Sequence, residues 1–156
     1  MVRFDIPGRG MFECENIVVD LNGTLCVDGK IHPKARDKIN LLAKKAKVYV
    51  LTADTRGKAH EILAKLNVEI VLLSGDDTFR EKLEFIRRIG PDRSVAIGNG
   101  YNDHLMVAEA ALGLCIIGRE GASAETVKRS DVVLTDVVDA LDFLLRPLRN
   151  KATLRQ

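Results

Sequence analysis

Two short stretches concentrate the groups able to do chemistry in this chain: NIVVDLNGTL, residues 16–25, and SVAIGNGYND, residues 94–103. Each is an apolar run ending in carboxylates, amides and glycines, as a parallel strand does where it delivers a reactive edge. Asp20 closes the first run, while Asn99 and Asp103 follow the second. Thr52 ends a third run, KVYVLT, and Lys82 lies early in the helix-like TFREKLEFIRRIG that precedes SVAIGNG. A carboxylate, a hydroxyl, an ammonium group and amides meeting at one point suit phosphoryl transfer. They would supply a nucleophile, donors to the phosphoryl oxygens, a cation against the charge, and oxygen ligands for Mg²⁺. Gly23 and Gly100 allow backbone amides to approach an anion closely.

Whether those groups meet depends on the elements that carry them. Short apolar runs at Ile17–Leu21, Lys47–Leu51, Val68–Leu73, Ser94–Gly98, Gly113–Ile117 and Asp131–Leu134 alternate with amphipathic segments. In PKARDKINLLAKKA, for example, Ala35, Ile39, Leu42, Ala43 and Ala46 recur at helical spacing. RGKAHEILAKL, TFREKLEFIRRIG, DHLMVAEAALG, ASAETVKRS and DVVDALDFLLRP read the same way. Alternation of this kind predicts an α/β fold, a three-layer Rossmann-like arrangement around a mainly parallel sheet whose strand C-termini share one edge. On that edge Asp20, Thr52, Asn99 and Asp103 converge, and the stem of Lys82 reaches them. Residues 1–15 predict a hairpin around PGRG, residues 16–147 the α/β core, and residues 148–156 a solvated basic tail. Asp28-Gly29 within CVDGKIH predicts a tight hairpin over the same edge, and no insertion is long enough to form a lid (cap) domain. The site is expected to be open, and an open site predicts self-association that covers it.

The totals fit one domain. At 156 residues a chain buries roughly two thirds of its unfolded surface without disulfides or structural metal. Its 24 basic and 22 acidic residues leave a net charge of +2, too small a field to attract nucleic acid or an anionic membrane. Small phosphorylated molecules or phosphate are the better partners. Cys14, Cys26 and Cys115 form an odd set without CxxC spacing and read as reduced thiols of a cytoplasmic protein. No segment has the apolar length of a signal peptide or a membrane helix.

In order and spacing DLNGTL, LTADT, Lys82 and GNGYND resemble the motifs of the haloacid dehalogenase-like phosphotransferases. The nearest resemblance is to the phosphorylation domain of P-type ATPases. VLTADT is similar to their TGD segment, VAIGNGYNDHLMVAEAALGLCI to their GDGxND segment, and GASAETVKRSDVVLTDVVDAL to the helix-strand-helix that follows. The resemblance implies that Asp20 is a nucleophile forming an aspartyl-phosphate. It implies that Thr52 donates to the phosphoryl group, that Lys82 neutralises it, and that Gly23, Ala53 and Asn102 contact phosphate. The implied Mg²⁺ ligands are Asp20, the backbone carbonyl of Asn22 and the side chain of Asn99, with Asp103 in support.

Two positions depart from the family pattern. Dehalogenase-like phosphatases carry at position 22 an Asp that protonates the leaving group and later activates water, and an amide does neither. P-type ATPases have Thr there, and the aspartyl-phosphate persists. Asn99 replaces a directly ligating Asp and removes a formal charge from the metal site. The expected activity is therefore slow, Mg²⁺-dependent hydrolysis of phosphate esters. The alternative is a phosphate- or ligand-binding regulatory protein on the same fold.

Plainer readings stand beside these. Asp20 alone fits a strand-end turn cap, Thr52 fits a hydroxyl at a helix start with Asp54 or Thr55 as cap, and Lys82 fits a surface charge like Arg80, Arg87 and Arg88. LLSGDD, residues 72–77, reads as a strand-end loop with Asp76 or Asp77 beside the pocket. His32, His60 and His104 lack ligand spacing, so zinc has no support.

Overall fold

A computed structural model describes residues 1–54 and 57–156. The chain begins with an antiparallel hairpin, β1 (Val2–Ile6) and β2 (Gly10–Cys14), in register from Val2 opposite Cys14 to Ile6 opposite Gly10. Alternate residues Val2, Phe4 and Ile6 are buried, which is the period-2 signature of a half-covered strand. The six parallel strands are β3 (Asn16–Asp20), β4 (Lys47–Thr52), β5 (Glu69–Leu72), β6 (Ser94–Gly98), β7 (Leu112–Ile116) and β8 (Val132–Leu134). Their order in the sheet is β5-β4-β3-β6-β7-β8. Helices α1 (Pro33–Leu42), α2 (Lys58–Ile62), α3 (Thr78–Ile89), α4 (His104–Glu109), α5 (Ala124–Arg129), α6 (Val137–Leu145) and α7 (Pro147–Leu154) complete the chain.

Both faces of the sheet are covered, as the β-branched runs require. Ile17, Val19, Val48, Val50, Val95 and Ile97 pack with Ile39 and Leu42 of α1 and Leu141 of α6 on one side. Val18, Leu51 and Ala96 pack with Phe85 and Ile86 of α3 and Met106 of α4 on the other. Strand order reverses at β3: the chain runs outward through β4 and β5, then returns to place β6 on the opposite flank of β3. A crevice forms outside the strand C-termini at such a switch point, and Asp20 ends the strand that lies there.

Between β3 and α1 the chain makes two short turns, bridged at Asn22 with Cys26 and at Val27 with Lys30. Val27 pairs with Lys30, and Asp28 and Gly29 have φ of 53° and 74°, the left-handed pair a two-residue hairpin turn needs. No helix among the described residues is long and apolar enough to cross a membrane.

Several expected boundaries move. The helix expected to run to Ala46 ends at Leu42 and continues as turns, and the segment 103–113 is helical only to Glu109. The reason for the second is contact: Gly113, already in β7, lies so close to the Val107 carbonyl that an added Cβ would sit 2.3 Å from it. The larger correction is the C-terminus. Residues 148–156 are not a solvated tail, because Pro147 starts α7, Asn150 and Leu154 are buried, and the Asn150 amide donates to the Phe143 carbonyl at 3.2 Å. The Gln156 N–H donates to the Pro7 carbonyl at 3.0 Å, closing α7 onto the hairpin.

Candidate active site

Parity along β3 decides where Asp20 points. Val18 faces α3 and α4, and Asp20, two residues on, faces the same way. On α3 the residues at one-turn spacing, Lys82, Phe85 and Ile86, are buried together. Lys82 is therefore no surface charge: it is 2% exposed, and its ammonium donates to Asp20 Oδ1 at 2.8 Å and to Asp103 Oδ1 at 2.7 Å. Asn102 Oδ1 accepts from it at 3.4 Å.

Asp103 is fully buried, and its second oxygen accepts from the backbone N–H groups of Asn99 at 3.0 Å and Gly100 at 3.1 Å. It locks the turn after β6, and Gly98 is required there because a Cβ would sit 2.5 Å from the Asp103 carboxylate. Among the sequence-derived candidates Asp103 is thus an internal latch with all its nearest partners in the protein. Thr24, which the sequence reading did not single out, stands between Asp20 Oδ2 at 3.3 Å and Asn99 Oδ1 at 2.9 Å, its one proton shared between them. Its signal was its place four residues beyond Asp20 within the same motif.

Asp20, Asn22, Thr52, Ala53, Lys82, Asn99 and Asn102 line one cavity of about 270 Å³, joined by Leu73, Thr78 and Gly100. Leu73 and Thr78 flank the LSGDD loop, but neither Asp76 nor Asp77 lines the cavity. Gly23 lines a second cavity of about 640 Å³ on the other side of Thr24, walled by the 27–30 turn and the ends of β7 and β8. Asn22 is exposed at the cavity rim. Asp54 caps α2 by accepting from the Ala59 N–H at 2.6 Å, whereas Thr55, the other candidate cap, lies outside the described residues.

Thr52 is only 3% exposed, and its hydroxyl has no hydrogen-bond partner among the described residues. Leaving a buried hydroxyl unpaired costs about 1–3 kcal/mol. A group held so, aimed into the cavity that also holds Asp20 and Lys82, is a donor awaiting an acceptor.

Charge in the site is unbalanced. Two buried carboxylates share one ammonium group, and the surplus falls on Asp20. Burial, and then the charge of Asp103, push its carboxyl up to about 7 against the opposing pull of Lys82 and Thr24. Burial disfavours the Lys82 cation, but Asp20 and Asp103 outweigh it and hold that amine above its ordinary value. The thiols of Cys14 and Cys115 are each pushed up to about 11, chiefly by burial, and take no part.

A metal would meet oxygen donors only. They are the Asp20 carboxylate, the Asn99 amide oxygen and the Asn22 backbone carbonyl, which accepts no backbone hydrogen bond among the described residues. That donor set suits a hard dication such as Mg²⁺ and carries little charge. Among the described residues no three His, Cys, Asp or Glu side chains form a ligand cluster.

No protein-family model matches the chain. Over 74 residues, 47% of this chain and 80% of the relative, it is 49% identical to the uncharacterized protein MJ0073 of Methanocaldococcus jannaschii. Over 39 residues, 25% of this chain and 89% of the relative, it is 44% identical to the uncharacterized protein MJ0072 of the same organism. Among solved structures it is similar to 3-deoxy-D-manno-octulosonate 8-phosphate phosphatase of Moraxella catarrhalis, in complex with magnesium, phosphate and KDO. That likeness has a TM-score of 0.71 and 14% identity over 89% of this chain and 90% of that one. The cobalt-bound form of the corresponding Haemophilus influenzae phosphatase matches with TM-score 0.71 and 14% identity, covering 92% and 94% of the two chains. The Yersinia pestis phosphatase follows at 0.68 and 12%, covering 88% and 83%. At these identities the likeness is one of fold, and the fold is haloacid dehalogenase-like without a cap domain.

Proposed function

This chain belongs to one family with the uncharacterized archaeal proteins MJ0073 and MJ0072, and we propose that it is a Mg²⁺-dependent phosphohydrolase that cleaves small phosphate esters slowly through an aspartyl-phosphate on Asp20. One observation carries the reading: a buried Thr52 hydroxyl without a partner among the described residues lines the cavity in which Lys82 holds Asp20. The structural neighbours named above support a divalent metal and a small phosphorylated substrate by the ligands they contain.

In this mechanism the ionised Asp20 carboxylate attacks phosphorus and the ester P–O bond breaks, leaving the phosphoryl group on Asp20 and an alkoxide or phenolate to depart. Lys82 and the Thr52 hydroxyl bind the phosphoryl oxygens, and Asn102 and the backbone around Ala53 orient them. Water then attacks the aspartyl-phosphate and releases inorganic phosphate and Asp20. Asp20, the Asn22 carbonyl and Asn99 are the residues that would hold Mg²⁺, whose charge offsets repulsion between carboxylate and phosphoryl group. Asn22 has no proton to give the leaving group and no base to offer water. Losing that assistance typically lowers rate by ~10²–10⁴, as in the P-type-ATPase-like pattern where the aspartyl-phosphate persists. A second copy of the chain or a bulky substrate closing the open mouth belongs to the same reading, and light scattering tests the first.

The experiment is phosphate release from p-nitrophenyl phosphate and acetyl phosphate with Mg²⁺, against Asp20→Ala. Turnover that depends on Asp20 is expected, and equal release by the variant would sink the proposal. A second reading, a phosphate-binding regulatory protein without turnover, is favoured by Asn99. Its amide N–H donates to the Gly121 carbonyl at 3.2 Å, so position 99 is built for an amide. Phosphate binding without release of product in the same assay selects that reading.

A further inference from the structure

Resting on the reading of this site as a divalent-cation site, the charge of its ligands falls short. Asp103 and Asp20 share the Lys82 ammonium group, Asn22 and Asn99 contribute neutral oxygens, and among the described residues lining the cavity Asp20 is the one carboxylate open to a doubly charged ion. Affinity for hard cations follows the charge count of the ligands. The shortfall has an answer in the loop after β7.

That loop is a tight turn in which Gly118 pairs with Gly121 and Gly121 takes φ of 74°. It is clamped to position 99 twice. The Asn99 side chain donates to the Gly121 carbonyl at 3.2 Å, and the Ser123 N–H donates to the Asn99 carbonyl at 2.8 Å. The clamp brings the turn tip, Glu120, over Gly23. A Cβ placed on Gly23 would lie 2.2 Å from Glu120 Oε2 and 2.8 Å from Asn99 Nδ2, so the carboxylate and the amide close on the same point from two sides. Glu120 makes no hydrogen bond or ion pair among the described residues. Glu120 is a solvent-exposed residue, yet its carboxylate lies against the backbone of Gly23, the residue after Asn22, in space that only a glycine at 23 leaves free.

We propose that Glu120 is the second carboxylate of the divalent-cation site, supplying across Gly23 the charge that Asn99 does not carry. The amide at 99 and the glutamate at 120 then form one device: the amide holds the turn and the turn delivers the charge. Asn99→Asp alone would lose the bond to Gly121 and set a carboxylate against a carbonyl oxygen, so it is no simple gain.

The test is Mn²⁺ binding to the substrate-free protein, followed by electron paramagnetic resonance with Mg²⁺ competition, in wild type, Glu120→Gln, Glu120→Lys and Asn99→Asp/Glu120→Gln. Glu120→Gln should weaken binding about tenfold, the range for supporting residues of metal sites, and Glu120→Lys should weaken it further because the effect follows charge. The double variant should bind more tightly than Glu120→Gln. Melting midpoints in EDTA should be equal for wild type and both single variants, since Glu120 makes no hydrogen bond or ion pair among the described residues. Unchanged affinity in Glu120→Gln, equal losses for Gln and Lys, or no recovery in the double variant would each overturn the inference. A wild-type protein that binds no Mn²⁺ ends the cation reading of the site as well, which distinguishes the two failures.

Discussion

Replacing Lys82 by Met should convert the site's latch into a pH-dependent fault. Met keeps much of the stem that packs beside Phe85 and Ile86, so the change is chiefly one of charge. What it removes is an ammonium group 2.8 Å from Asp20 and 2.7 Å from Asp103, with side chains 2%, 12% and 0% exposed for Lys82, Asp20 and Asp103. Breaking a buried pair from one side costs about 3–5 kcal/mol, a large share of the roughly 5–15 kcal/mol that holds a domain folded. For a chain of this size that corresponds to a fall in melting midpoint of about 6–20 °C. The sign with pH follows from Asp20. Its folded value, already pushed from an ordinary 3.8 to about 7 by burial and Asp103, loses the one cation among the described residues that opposes the rise. A carboxyl whose folded value lies above its unfolded one contributes stability that is complete below the unfolded value and lost as pH rises through the folded one. The penalty of Lys82→Met should therefore be small near pH 4 and largest at pH 8, and adding Asp20→Asn should relieve part of it. Urea and thermal melts in EDTA across that range measure it. A variant that melts with wild type at pH 8, or a penalty that shrinks as pH rises, would refute the charge-latch reasoning.

Thr52→Val should leave stability unchanged or raise it by about 1 kcal/mol, because the hydroxyl is buried without a partner among the described residues, while phosphate affinity falls in isothermal titration. A destabilised Thr52→Val protein would mean the hydroxyl is structural. Asn22→Asp should raise turnover at saturating Mg²⁺ by up to ~10²-fold if its carboxyl reaches the leaving oxygen, and an unchanged rate would show that acid assistance is not what limits the reaction. Away from the site, burial works against the Asp142 carboxylate but Lys38, Arg146 and Arg149 together hold it below its ordinary value of 3.8. Its contribution is present above that value and lost as pH falls through the folded one, so Lys38→Met should cost about 1 kcal/mol at neutral pH and flatten the acid limb of the stability curve. Acid melts of the two proteins that run parallel would exclude Lys38 as the partner that matters.

Much of this arrangement is legible along the chain. Apolar runs of strand length ending in Asp20, Thr52 and Gly98, separated by helical periodicity, suffice to place those ends on one edge, because parallel strands joined by right-handed crossovers leave no other choice. Asp28-Gly29 announces its turn for an equally local reason, since both residues tolerate the left-handed backbone the turn needs. The C-terminal segment was harder. Pro147 is a good first residue for a helix, yet RPLRNKATLRQ reads as basic and solvated until the hairpin offers Leu154 a surface to cover.

What the sequence by itself determined, then, is the order of the elements and the identity of the groups at their ends, because side-chain periodicity and turn chemistry act over a few neighbouring residues. The state of those groups was decided only by the tertiary structure. Lys82 looks like its surface neighbours Arg80, Arg87 and Arg88, and it becomes a buried latch because Asp20 has the strand parity that faces α3 and Asp103 closes the turn beside it. Asn99 reads as a lost charge until Gly121, twenty-two residues away, is seen to need its N–H. Glu120 reads as nothing at all until Gly23 leaves room for it. Burial, pairing and the electric field at an atom depend on which distant segments the fold brings within a few ångströms, and local sequence patterns carry no record of that distance.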